Sequence, residues 1–109
     1  MDTRQQRVGK NEVVFRDVNE RINDINRDMG FNEEADFICE CGNAECAAPI
    51  TLKLAEYEAV RAYPTRFAIL PGHEIPDVER VVQQNDRYAV VEKAPAAAAQ
   101  IAIDHDPRA

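Results

Sequence analysis

The stretch that decides the fold is Asp36-Phe37-Ile38-Cys39-Glu40-Cys41-Gly42-Asn43-Ala44-Glu45-Cys46, followed by Ala47-Ala48-Pro49-Ile50-Thr51-Leu52-Lys53-Leu54. Residues 36–41 read as a brief strand that enters a turn at Gly42-Asn43, and Cys46 closes that turn. Residues 49–54 alternate apolar and polar, the mark of a half-buried strand. Together they predict a hairpin with all three cysteines of the chain at its tip.

Outward from the hairpin, the pattern predicts an α+β fold. Before it, Asn11 is placed to cap a helix. Phe15, Val18, Ile22, Ile25 and Met29 then recur at spacings of three and four, one stripe of an amphipathic helix that Gly30 ends. This stripe runs for about two heptads, too short to define a coiled coil. It predicts packing on the domain itself, on a second copy, or on a protein partner through the face between Phe15 and Met29. After the hairpin, residues 54–62 form a short amphipathic helix that stops ahead of Pro64. Phe67-Ala68-Ile69-Leu70 is a short buried strand, and Pro71-Gly72-His73-Glu74-Ile75-Pro76 a loop. Residues 78–83 and 88–92 pair as a hairpin, completing a small antiparallel or mixed sheet. The domain therefore spans residues 11–93, between a flexible N-terminus (1–10) and a disordered Ala/Pro-rich acidic tail (94–109).

Length and charge narrow the functions. The 109 residues suit one domain, and 45% apolar content is enough for a core without help from a metal. Net charge is −7, concentrated in residues 30–62, where seven acidic residues face two basic ones. Such a segment repels phosphate backbones, so no nucleic-acid partner is expected. No apolar run is long enough to span a bilayer, and MDTRQQRVGKNE has no signal-peptide core, so no membrane association and a cytoplasmic location are expected.

In a reducing compartment, clustered cysteines bind metal or do redox work more often than they form disulfides. Cys39, Cys41 and Cys46 offer three thiolates, and a structural zinc takes four tetrahedral ligands. His73, in the constrained Pro71–Glu74 loop, is the leading fourth ligand. Glu45, Glu74, His105, Asp36 and water are the other contenders. Thiolates alone do not choose between zinc and iron. Glu40 and Glu45 lie beside the cysteines in sequence, and carboxylates raise thiol pKa values, which disfavours a reactive thiolate.

The residues support a small non-enzymatic interaction or regulatory protein with a structural zinc. The alternatives are a thiol redox sensor using the same cysteines and a small metal-dependent enzyme with an open site near Glu74. A phosphate-binding glycine loop is absent, and aromatic residues are only 6% of the chain.

Cys39-Glu40-Cys41-Gly42, Leu54-Ala55-Glu56-Tyr57-Glu58-Ala59-Val60-Arg61, Pro64-Thr65-Arg66-Phe67 and Pro71-Gly72-His73-Glu74 together resemble a family of small uncharacterised actinobacterial proteins. Val78-Glu79-Arg80-Val81-Val82 and Tyr88 through Lys93 fit the same pattern, so the resemblance covers residues 11–93. It implies that Cys39, Cys41, Cys46 and His73 belong to a recurring layout, and it supplies no activity. Lys53 departs from the pattern, since a capping Ser or Thr is expected ahead of the Leu54 helix.

Overall fold

The computed structural model describes residues 4–30, 33–94 and 96–108. Helix α1 (Arg4–Asp28) leads into strands β1 (Glu34–Ile38) and β2 (Pro49–Lys53). Helix α2 (Leu54–Arg61), strands β3 (Arg66–Ile69), β4 (Glu79–Gln84) and β5 (Ala89–Lys93), and helix α3 (Ala96–Asp104) follow. The class is α+β, as the sequence pattern predicts. The sheet is divided, however: β1–β2 is one antiparallel pair and β3-β5-β4 a separate antiparallel sheet.

The division has a local cause. Cys39 N still donates to Ala48 O at 2.7 Å, one step beyond the Ile38↔Pro49 pair, but the next amide, Glu40 N, donates to Ala68 O of β3 at 2.8 Å. The chain changes partner between two adjacent residues, so the cysteine segment joins the two sheets. Their inner faces, with α2, form one core that includes Phe37, Ile50, Leu52, Tyr57, Phe67, Ile69 and Val91. Phe37 stacks on Tyr57 with centroids 4.5 Å apart. Lys53 precedes α2 without a side-chain cap, and Glu56 compensates by accepting the Lys53 amide at 2.8 Å.

Two expectations change. Helix α1 starts at Arg4, not Asn11, because Val8 is buried and Asn11 is engaged elsewhere, its Nδ2 donating to Gly42 O at 2.9 Å. Within the segment expected to be a disordered tail, residues 96–104 form α3, with Ala102 buried. Polar bonds hold that segment down: Arg16 Nη2 donates to Ala102 O at 2.8 Å, and buried Arg61 pairs with Asp106.

The apolar stripe of α1 is not the face turned inward. Ile22 packs on the core and Phe15 is half-buried, while Val18, Ile25 and Met29 are exposed. The buried face instead carries Glu12, Arg16, Asn19 and Asn23. Each has a partner distant in sequence. Glu12 meets Lys93, Arg16 also donates to Pro64 O, Asn19 pairs with Ile38 and Glu40, and Asn23 donates to Glu58. Burial of such side chains is tolerated because each makes at least one hydrogen bond or ion pair.

Candidate metal centre

The site is assembled by three turns of chain. Past β1 the backbone stays extended, so alternate side chains face opposite ways. Cys39 and Cys41 point to the site. Glu40 points into the interior, where its Oε1 accepts Ala68 N at 2.9 Å and its Oε2 accepts Asn19 Nδ2 at 2.7 Å. Asn19 also clamps the strand end, donating to Ile38 O at 2.8 Å and accepting Ile38 N at 2.9 Å. Burial raises the Glu40 carboxyl to about 7, with the two hydrogen bonds opposing the shift.

Gly42 then passes directly against α1. A Cβ there would lie 2.3 Å from Val8 Cγ1 and 3.2 Å from Val8 Cα, so only glycine fits. Asn43 turns the chain: its Oδ1 accepts Glu45 N at 3.0 Å and its carbonyl accepts Cys46 N at 3.1 Å. Ala47 takes a left-handed conformation (φ 49°), which swings the backbone from Cys46 back into β2.

The fourth side chain arrives from β3. Pro71 and Gly72 occupy the middle of a turn closed by His73 N donating to Leu70 O at 3.1 Å, with Gly72 at φ 90°. These are the features of a type II turn, which needs glycine at its third position and favours proline at its second. The turn projects the His73 ring over the cysteines.

The ligand atoms of Cys39, Cys41, Cys46 and His73 all lie within 4.8 Å of one another. His73 Nδ1 is 3.7 Å from Cys39 Sγ and 3.6 Å from Cys46 Sγ. In a tetrahedron with Zn–S of about 2.3 Å and Zn–N of about 2.0 Å, the S···N edge is about 3.5 Å and the S···S edge about 3.8 Å. Both S···N distances match that edge, and with all four ligand atoms within 4.8 Å of one another the group can hold a metal ion. Cys39 and Cys41 are buried, Cys46 is half-buried and His73 is exposed, so the site sits at the surface with its cysteine floor shielded. Leu70 N donates to Cys39 Sγ at 3.2 Å, a further favourable term for negative charge on that sulfur.

The thiols are polarised against each other. Cys41 is drawn down to about 5, first by the hydrogen bond from Cys39 and then by His73, against the opposing effect of burial. Cys39, which keeps the proton, is pushed up by the same bond and by burial. This corrects the expectation that Glu40 and Glu45 suppress thiolate formation: Glu40 faces the other way and Glu45 is exposed. A metal ion would take the place of the shared proton.

Among the described residues the remaining contenders stay outside the group. Asp36 accepts Thr51 Oγ1 at 3.1 Å on the outer face of the hairpin, and His105 borders a groove on α1 with Val13 and Val14. Glu45 and Glu74 do not join the four ligand atoms either. Sequence reasoning missed the supporting residues Asn19 and Glu40, which contact one another across 21 positions. The glycine after Cys41 was the one local signal of close packing.

No family model, curated protein or solved structure matches this chain. Among the described residues, no helix is long and apolar enough to cross a membrane.

Proposed function

We propose that Cys39, Cys41, Cys46 and His73 hold one structural zinc ion, and that the protein is a non-enzymatic interaction or regulatory module built around that lock. The observation that supports this is the convergence of four ligand atoms within 4.8 Å, with two S···N distances close to a tetrahedral edge. Four protein ligands close the coordination shell, whereas a catalytic zinc keeps a position open for water or substrate. Zinc suits this mixed thiolate–imidazole set, and its lack of redox chemistry suits a structural role. The ion would tie the turn after β3 to the segment that joins the two sheets. Three reduced thiols favour work in a reducing compartment, the cytoplasm.

Native mass spectrometry with elemental analysis of freshly purified protein tests the reading, beside Cys46→Ser and His73→Ala. One zinc per chain, weakened or lost in both variants, is expected. Metal-free protein with three free thiols would reject it.

The depressed Cys41 supports a second reading, thiol redox sensing. Two thiols would pass two electrons to hydrogen peroxide, forming one disulfide and two waters. In that case peroxide should change the response of the protein while His73→Ala leaves it largely intact.

A further inference from the structure

The first two turns of α1, residues 4–11, meet the metal centre at Gly42. Val8 is buried there, so close over Gly42 that a Cβ on the glycine would collide with its side chain. Asn11 Nδ2 donates to Gly42 O at 2.9 Å, a bond between residues 31 positions apart. Gly42 follows one candidate ligand, Cys41, and opens the turn that ends at another, Cys46. From residue 12 onward the helix has different anchors. Glu12 pairs with Lys93, and Arg16 donates to Pro64 O and Ala102 O. Residues 4–11 instead meet Gly42 and, at Gly9, Ile101 of α3.

The turn that carries Gly42 is held by short-range bonds. Asn43 accepts Glu45 N and Cys46 N within it. Ala47, just beyond, is left-handed (φ 49°), a costly conformation for a residue with a Cβ. Such a turn keeps one shape when both of its ends are fixed to the same ion. Ordering it costs conformational entropy, and whichever contact forms second finds that order already in place. Metal ligation by Cys41 and Cys46 and the seating of Val8 and Asn11 use the same ordered turn, so each favours the other.

We propose that the metal centre and the first two turns of α1 order each other. Bound metal fixes the turn and docks residues 4–11. Val8 and Asn11, neither of them a ligand, are positioning residues that tighten the centre. This coupling rests on the zinc reading above and adds its regulation: loss of the ion loosens the start of the helix, while residues 12–28 stay seated. By linkage, the factor by which docking raises metal affinity equals the factor by which metal favours docking.

Hydrogen exchange by mass spectrometry and zinc titration against a competing chelator test this on the full chain, with zinc content measured on the same samples. Removing zinc should speed exchange at residues 4–11 at least about fivefold, with little change at residues 20–28. Asn11→Ala removes one hydrogen bond and should weaken zinc binding about two- to tenfold, and Val8→Ala should weaken it to a similar degree. Val14→Ala, on the same part of the helix but 59% exposed, should stay within about twofold of the wild type. Asn11→Ala should also speed exchange at residues 4–11 more with zinc than without, by the same factor as its loss of affinity. The comparison of wild type with and without zinc needs no variant, so it decides even if a variant folds poorly. Zinc bound, with exchange at residues 4–11 indifferent to its removal, overturns the coupling and leaves the zinc site standing. So does unchanged affinity in both Asn11→Ala and Val8→Ala, or an equal loss in Val14→Ala. A chain that takes up no zinc overturns the zinc reading and the coupling together.

Discussion

Replacing Lys93 by methionine attacks the most highly charged point of the interior. Lys93 Nζ lies 2.7 Å from Glu12 Oε1 and 2.7 Å from Glu79 Oε1, and all three side chains have 0% exposure. One ammonium neutralises one carboxylate, so the second carboxyl is best kept protonated. In keeping with this, burial raises Glu12 to about 8, Lys93 opposing and Glu79 reinforcing the shift. Without the lysine, the two buried carboxyls face one another with no cation between them. Breaking a buried pair in this way costs about 3–5 kcal/mol. Against a typical total of about 5–15 kcal/mol, with about 4–8 °C lost per kcal/mol at this size, the melting temperature should fall by roughly 15–30 °C at pH 8. The deficit should shrink near pH 5, well below the raised Glu12 value, where that carboxyl is protonated.

In the wild type, Glu12 has a folded pKa above its unfolded value of 4.5, so the folded state binds the extra proton between pH 4.5 and about 8. Its contribution to stability is greatest below that window and is lost as pH rises through it. Glu12→Gln keeps an acceptor for Lys93 and removes the titration, so it should flatten the decline between pH 5.5 and 8.5. Urea unfolding of the three proteins at those two pH values is the assay. A Lys93→Met protein within about 1 kcal/mol of wild type at pH 8 would refute the reasoning. So would a decline with pH that survives Glu12→Gln.

Three further substitutions probe the frame of the metal centre. Gly42→Ala pushes a Cβ into Val8, and should cost about 1–3 kcal/mol in a thermal melt, partly restored by Val8→Ala. Ala47→Gly relieves a left-handed alanine (φ 49°), and should stabilise the protein by roughly 0.5–1 kcal/mol by the same measurement. Asn19→Ala strands the Ile38 amide and carbonyl and one Glu40 oxygen, and should cost about 2–4 kcal/mol; hydrogen exchange should reveal the loosening first at residues 38–42.

The α+β class, the hairpins and the gathering of cysteines around His73 could be read from the chain because each rests on local signals. Alternation marks the strands, Pro71-Gly72 sets the turn that aims His73, and three cysteines within eight residues announce their own site. The orientation of α1 could not be read in this way. Periodicity finds the apolar stripe but leaves open whether it packs on the domain, on a second copy or on a partner, and here Glu12, Arg16, Asn19 and Asn23 face inward. Their burial depends on Lys93, 81 positions from Glu12, and on the Ala102 carbonyl, 86 positions from Arg16. No window along the sequence contains both partners. The same contacts explain why an alanine-rich segment forms α3, and why one expected sheet is two, since the change of partner at Glu40 is a tertiary event.

X-ray absorption at the zinc edge tests the central claim most directly, because it reads the ligand set as well as the presence of metal. On protein purified without added zinc, the spectrum should fit three sulfurs at about 2.3 Å and one nitrogen at about 2.0 Å, and His73→Ala should lose the nitrogen. A protein without zinc, or one whose zinc sees only nitrogen and oxygen, would contradict the account.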